Sequence, residues 1–132
     1  MALDYGKVRT GIAVTDQLQL IASGLTTVQT DELLTFLENY FSQELVEILV
    51  VGEPKQMNGS ASGVETSILT FLKEIKLKFP NLQIDRQDER FTSKVAFKSM
   101  IASGMKKKKR QQKSLVDEIS ATLILQAYLE RN

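Results

Sequence analysis

The sequence predicts an α/β fold built on a mixed five-stranded sheet that is flanked by helices. Three strand-like runs open the chain with short turns between them, as in an antiparallel meander. Amphipathic helical stretches then alternate with short apolar runs, a pattern typical of crossover connections between parallel strands. The length of 132 residues suits one compact domain, so we expect residues 1–132 to form a single domain.

The predicted element order is β-β-β-α-β-α-β-α-α. The first strand ends at Asp4, the second covers residues 11–15, and the run 18–28 supplies the third, which ends at 26–28. Apolar side chains spaced three and four residues apart predict a helix that begins at Thr30 or Asp31 and extends to residue 41.

The second half of the chain is predicted by the same rules. The largely apolar run 45–51 is typical of a buried strand with neighbours on both sides. A helix over about 64–79 and a short strand at 82–84 follow, and further helices are predicted over about 92–102 and 114–129.

The composition excludes several chemistries. The chain has no histidine and no cysteine, which removes Ser-His-Asp hydrolysis, histidine general bases, histidine-bound zinc, thiolate catalysis and disulfides. Hydrolysis must therefore rest on carboxylates and on cations that prefer oxygen ligands, such as Mg²⁺ or Mn²⁺. No apolar run approaches the roughly 20 residues that cross a bilayer, so we expect no membrane partner.

The net charge of +1 conceals an uneven distribution. Six of the seventeen basic residues lie between positions 105 and 114, and the other eleven face sixteen acidic residues. Such a segment is typical of a polyanion contact, with salt-sensitive and sequence-independent affinity. The alternative is a solvated loop. The predicted nucleic-acid contacts in this segment are Lys106, Lys107, Lys108, Lys109, Arg110 and Lys113.

Asp4 is the first candidate for chemistry. It ends the first strand and is followed by a turn in which Gly6 can adopt backbone angles closed to other residues. Lys7 and Arg9 lie in this turn, where they could hold a phosphate beside a cation bound to Asp4; Arg90 is a third such candidate. The alternative for Asp4 is an acid that only stabilises the turn.

Two further acids stand out by their context. Glu89, or its neighbour Asp88, ends the last strand, and Asp117 lies near the start of the final helix. If all three acids meet at one sheet edge, their mutual repulsion implies a divalent cation. Two alternatives remain open: Glu89 could simply pair with Arg86 or Arg90, and Asp117 could close a capping box with Ser114.

These motifs resemble the YqgF family, also described as RuvX-like. The resemblance rests on residues 3–6 with 13–14, on 50–52 with Pro54 and 59–60, on 88–93, and on 116–117 with 124–125 and 128–129. It covers essentially the whole chain. Members are described as Holliday junction resolvases and are more often linked to maturation of the 5′ end of 16S rRNA.

The resemblance implies a ribonuclease H-like fold in which Asp4, Glu89 and Asp117 form the metal-binding acidic site. It also implies a bacterial, cytoplasmic protein whose partner is structured RNA (precursor 16S rRNA) or branched DNA. The chain departs from the family pattern at Glu53, where an apolar residue is usual, and at Ser120, where a small alanine is usual. We expect Glu53 to face the cleft or solvent, because a buried carboxylate would need a partner.

The sequence therefore predicts a metal-dependent nuclease that acts on precursor 16S rRNA. A junction resolvase is the same chemistry on DNA and would require a dimer that cuts two strands symmetrically. We expect a monomer or weak homodimer. A second possible class of function is a nucleic-acid-binding factor without catalytic activity. A nucleotide-binding ATPase is a third, but proteins of that kind need two lobes of this fold and the chain provides one.

Overall fold

The computed structural model describes residues 1–55, 63–89 and 113–131, with residues 113 and 114 described by their backbone alone. The strands are β1 (Ala2–Tyr5), β2 (Arg9–Thr15), β3 (Ala22–Gln29), β4 (Ile48–Glu53) and β5 (Gln83–Asp88). The helices are a 3₁₀ turn (Thr30–Glu32), α1 (Leu33–Gln43), α2 (Glu65–Lys78) and α3 (Lys113–Glu130). The predicted helix at about 92–102 lies outside the described residues.

The five strands form one mixed sheet in the order β3-β2-β1-β4-β5. Strands β1, β2 and β3 pair antiparallel, whereas β4 is parallel to β1 and β5 is parallel to β4. The predicted α/β fold with a mixed five-stranded sheet flanked by helices is thus confirmed. Because β1, β4 and β5 are parallel, their carboxyl ends lie at the same edge of the sheet.

Alternation along β1 directs successive side chains to opposite faces of the sheet. Leu3 packs in the larger core beneath α1 and α2, with Leu37 and Ile75 among its members. Ala2 packs on the other face in a core that α3 covers with Ile124 and Leu125. Small side chains on this second face let α3 lie close to the sheet.

Three predicted strand starts are wrong. The second strand was expected to begin at Gly11, but β2 begins at Arg9, which therefore lies in the strand and not in the turn. The run from Leu18 was expected to belong to β3, but β3 begins at Ala22 and Leu18 is largely exposed. The Asp16 carboxylate accepts the backbone N–H groups of Leu20 and Ile21, both at 2.8 Å, and so stabilises a turn where a strand was expected. Leu45 was placed in β4, yet it is 89% exposed and β4 begins at Ile48.

Ser120 on α3 is 2% exposed, and its hydroxyl has no hydrogen-bond partner among the described residues. An unpaired buried hydroxyl costs about 1–3 kcal/mol, so we expect Ser120→Ala to raise the free energy of unfolding by about 1–2 kcal/mol. Urea denaturation measures this. Ser67→Ala on the exposed surface of α2 is the control for helix propensity, and an equal gain in both variants would contradict the prediction.

Candidate active site

The carboxyl ends of β1, β4 and β5 place the predicted acids at one edge of the sheet. Asp4 lies near the end of β1, and Glu89 directly follows β5. The Glu89 backbone N–H donates to the Glu53 carbonyl at 3.2 Å, which extends the β4–β5 pairing by one residue. This pairing fixes the backbone position from which the Glu89 side chain extends toward Asp4.

The side chains of Asp4 and Glu89 are hydrogen-bonded to each other. Burial is the main cause that raises the pKa of both carboxyl groups. The charge of Asp4 raises the pKa of Glu89 further, and the charge of Asp117 raises the pKa of Asp4. Two partly buried carboxyl groups in contact favour either a shared proton or a cation between them.

Asp117 approaches this pair from α3 but has its own partner. Its Oδ2 accepts a hydrogen bond from Arg9 Nε at 3.1 Å. In the parts of the chain that the structure describes, no group of three or more acidic side chains is arranged to hold a metal ion. The structure thus joins Asp4 to Glu89 and places Asp117 nearby, with its carboxylate paired to Arg9.

The alternative role for Asp117, a capping box with Ser114 as the N-cap, is contradicted. Helix α3 begins at Lys113, so Ser114 lies inside it, and the first turn of the helix contains no acidic residue. The Asp117 side chain is therefore available to the sheet edge rather than to its own helix terminus.

The RuvX family model, described as Holliday junction resolvase, matches residues 1–131. The chain belongs to the RuvX family. The family resemblance stated from the sequence is thereby confirmed.

Relatives named "Putative pre-16S rRNA nuclease" match at high identity. The protein of Christiangramia forsetii is 62% identical over 98% of this chain and 96% of its own length. Those of Flavobacterium psychrophilum and Bacteroides thetaiotaomicron are each 56% identical, over 99% and 98% of this chain and 96% and 94% of their own lengths. The family and these relatives identify the RuvX chain as a nuclease, a hydrolase that acts on nucleic acids.

Two glycines that the sequence analysis did not single out shape the RuvX site. Gly11 lies opposite Asp4 in the β1–β2 pairing, and a Cβ there would lie 2.0 Å from the Asp117 carbonyl oxygen. A Cβ on Gly52 would lie 2.3 Å from Glu89 Oε2. Both glycines leave room for the acids to approach. The sequence feature that could have identified both residues is a glycine inside a strand, which often marks a place where another part of the chain approaches closely.

The predicted phosphate contacts are only partly described. Lys7 is exposed in the turn after β1, and Arg9 pairs with Asp117. Arg90, Lys106, Lys107, Lys108, Lys109 and Arg110 lie outside the described residues, as does the side chain of Lys113. Their roles remain predictions.

The remaining acids near the site have identifiable partners. Glu53 is half-buried and pairs with Lys55 at 3.2 Å, so its carboxylate lies at the partly exposed sheet edge, as expected. Arg86, one of the arginines considered as a partner for Glu89, instead binds the Glu65 carboxylate through two hydrogen bonds. Its charge still lowers the pKa of Glu89, against the larger effect of burial.

No helix within the described residues is long and apolar enough to span a membrane.

Proposed function

We propose that this protein is a divalent-metal-dependent nuclease that matures the 5′ end of precursor 16S rRNA in the bacterial cytoplasm. The observation that carries the proposal is the contact between the Asp4 and Glu89 carboxyl groups at the sheet edge, with Asp117 close enough to raise the pKa of Asp4. The names of the relatives supply the RNA substrate.

The donor set fits a hard cation. Asp4, Glu89 and Asp117 offer carboxylate oxygens alone, which is the ligand type that Mg²⁺ and Mn²⁺ prefer. Burial, and after it the neighbouring carboxyl charges, raises the pKa values of Asp4 and Glu89, so the charged forms of these groups are unfavourable here and a cation relieves that cost. Asp117 joins the set when Arg9 releases it.

When bound, such ions supply an activated water and stabilise the leaving oxygen of a phosphodiester. The chain itself supplies the three carboxylates and the positive charge beside them. Arg9 lies within hydrogen-bond distance of Asp117, so its guanidinium can pass from that carboxylate to a phosphate oxygen of the substrate. Lys7 is exposed in the turn just before β2, two residues from Arg9, and can approach the same strand of RNA. With no histidine in the chain, the proton of the attacking water leaves through solvent or a carboxylate.

A four-way DNA junction is the second candidate substrate, because the matching family model is described as Holliday junction resolvase. The chemistry at the acids would be the same. Junction resolution additionally needs two active sites acting on two strands, and therefore a dimer.

The test is cleavage of a short 5′-extended precursor 16S rRNA fragment and of a four-way DNA junction, each with Mg²⁺, Mn²⁺ or EDTA. The proposal predicts metal-dependent cleavage of the RNA by a protein that light scattering shows to be monomeric or weakly dimeric. Cleavage confined to the junction would transfer the function to recombination. Binding of either substrate without cleavage would identify a binding factor and contradict the nuclease mechanism.

The site also predicts how stability depends on pH without metal. The pKa of Asp4 rises from 3.8 to about 6 and that of Glu89 from 4.5 to about 9 on folding. Groups with a raised pKa stabilise the fold most below their unfolded values, and this contribution is lost as the pH rises through the folded values. In EDTA we therefore expect Tm to fall by about 5 °C or more between pH 5 and pH 8.

The controls separate the acids from general charge effects. Asp4→Asn should make this decline smaller without abolishing it, because burial alone still raises the pKa of Glu89. Asp16→Asn should leave the decline in place because Asp16 stabilises an exposed turn. Mg²⁺ should raise Tm more at pH 8 than at pH 5. A Tm in EDTA that rises from pH 5 to pH 8 would contradict the prediction.

A further inference from the structure

The guanidinium of Arg86 on β5 donates four hydrogen bonds to described residues. Nη1 and Nη2 bind the two carboxylate oxygens of Glu65 at 3.1 and 2.8 Å. Nε donates to the Val51 carbonyl at 3.1 Å, and Nη2 also donates to the Gly52 carbonyl at 2.9 Å. The side chains of Arg86 and Glu65 are only 21% and 15% exposed.

These bonds join three elements. Glu65 is the first residue of α2, whereas Val51 and Gly52 belong to the end of β4. Because the planar guanidinium of Arg86 binds both oxygens of the Glu65 carboxylate, it fixes the orientation of that carboxylate as well as its distance. A lysine ammonium at the same place would not fix the orientation. Arg86 and Glu65 therefore set the position of the α2 start relative to the end of β4.

The end of β4 is also the surface against which Glu89 rests. A Cβ on Gly52 would lie 2.3 Å from Glu89 Oε2 and 2.8 Å from Ile124 Cδ1, so the carboxyl group packs directly over this glycine. The Glu89 backbone is held on the same strand by its hydrogen bond to Glu53. Any displacement of Gly52 moves the surface that orients the Glu89 carboxyl.

A second ion pair acts on the same stretch of chain. Lys55, just after β4, approaches Glu53 at 3.2 Å and Asp88 at 3.9 Å. Lys55 is thus paired with Asp88 on β5. Glu65, at the start of α2, is paired with Arg86 on the same strand. Asp88 and Arg86 both lie within three residues of Glu89.

We propose that Arg86, held by Glu65, is a positioning residue that orients Glu89 for phosphodiester cleavage by fixing the end of β4. The effect on cleavage rests on the proposed function. The positioning of Glu89 by Arg86 does not depend on that function. Arg86 itself needs no contact with the substrate.

The first test is kinetic. Arg86→Met should lower kcat about 10- to 100-fold with KM for the RNA changed less than about twofold, because misplacement of a reacting group costs rate rather than binding. Arg86→Lys should recover part of the loss, and Glu65→Gln should be milder because the amide oxygen still accepts one hydrogen bond. Lys78→Met removes the exposed Lys78–Glu38 pair and is the matched control, expected to keep wild-type kcat.

The second test does not need activity. Amide hydrogen exchange at Glu89 should be about tenfold faster or more in Arg86→Met than in Lys78→Met, while the α3 amide of Leu125 stays unchanged. If Arg86→Met does not fold, Glu65→Gln replaces it in both tests.

Two results would overturn the proposal. One is a kcat of Arg86→Met equal to that of Lys78→Met, and the other is exchange that is unchanged at Glu89 or that rises equally at Leu125. A wild-type protein that cleaves no RNA would refute the proposed function instead. In that case, exchange at Glu89 alone decides whether Arg86 positions it.

Discussion

Asp4→Asn is expected to lower the rate of RNA cleavage by at least about 10³-fold. A bound divalent ion supplies several kcal/mol of transition-state stabilisation, and each 1.36 kcal/mol corresponds to a factor of ten in rate. The amide keeps the shape of the side chain but removes the charge that would hold the ion beside Glu89. Single-turnover cleavage of the precursor fragment measures the loss.

The same variant should be at least as stable as wild type in EDTA at pH 8. Asp4 carries a raised pKa, so its charged form opposes folding and its replacement by a neutral amide relieves that cost. Lower activity with equal or higher stability distinguishes a functional acid from one that only stabilises the turn. Asp16→Asn is the matched control, because Asp16 also follows a strand but binds the Leu20 and Ile21 amides, and it should cleave at the wild-type rate. Cleavage by Asp4→Asn within tenfold of wild type would refute the acidic site.

Gly11→Ala is expected to destabilise the fold by about 3 kcal/mol or more. The added Cβ would lie 2.0 Å from the Asp117 carbonyl oxygen and 2.9 Å from the Glu118 backbone nitrogen. Both atoms belong to the α3 backbone, which cannot rotate away as a long side chain can, so the helix itself must shift from the sheet. Because α3 carries Asp117, the shift should also separate this carboxylate from Asp4 and slow cleavage by the folded protein.

Gly63→Ala is the control for this substitution, because no atom of the described residues lies within 4 Å of a Cβ placed there. Its free energy of unfolding should change by less than about 1 kcal/mol. Urea denaturation of both variants gives the comparison. If Gly11→Ala were as stable as Gly63→Ala, the close approach of α3 to β2 would be wrong.

The sheet could be predicted because its signals are local. Burial in these elements follows from patterns that extend over only a few neighbouring residues. Examples are the apolar run before Asp4, the β-branched residues of β4 and the regular apolar spacing in α1. A prediction failed where a side chain binds the backbone and so prevents strand formation. Leu18 and Ile21 are residue types common in strands, but the Asp16 carboxylate accepts backbone N–H groups in that stretch and stabilises a turn.

The acids of the site were identified by their positions at the ends of elements, and the family resemblance selected among them. Sequence alone does not determine which partner each charged group takes, since this depends on distances between residues far apart in the chain. Asp117 and Arg9 are 108 residues apart, and Arg86 and Glu65 are 21 apart. The alternative pairing of Arg86 with Glu89 rested on their separation of three residues along the chain, whereas the fold offers Arg86 a two-point contact with Glu65.

The central claim is that Asp4, Glu89 and Asp117 bind one divalent site. The most direct measurement is a Mn²⁺ titration of protein carrying ¹³C-labelled aspartate and glutamate carboxyl groups, observed by NMR. We predict selective broadening of the Asp4, Glu89 and Asp117 carboxyl signals at substoichiometric Mn²⁺, with Asp16 unaffected and with competition by Mg²⁺. Broadening that spares these three acids, or that appears equally at Asp16, would contradict the account.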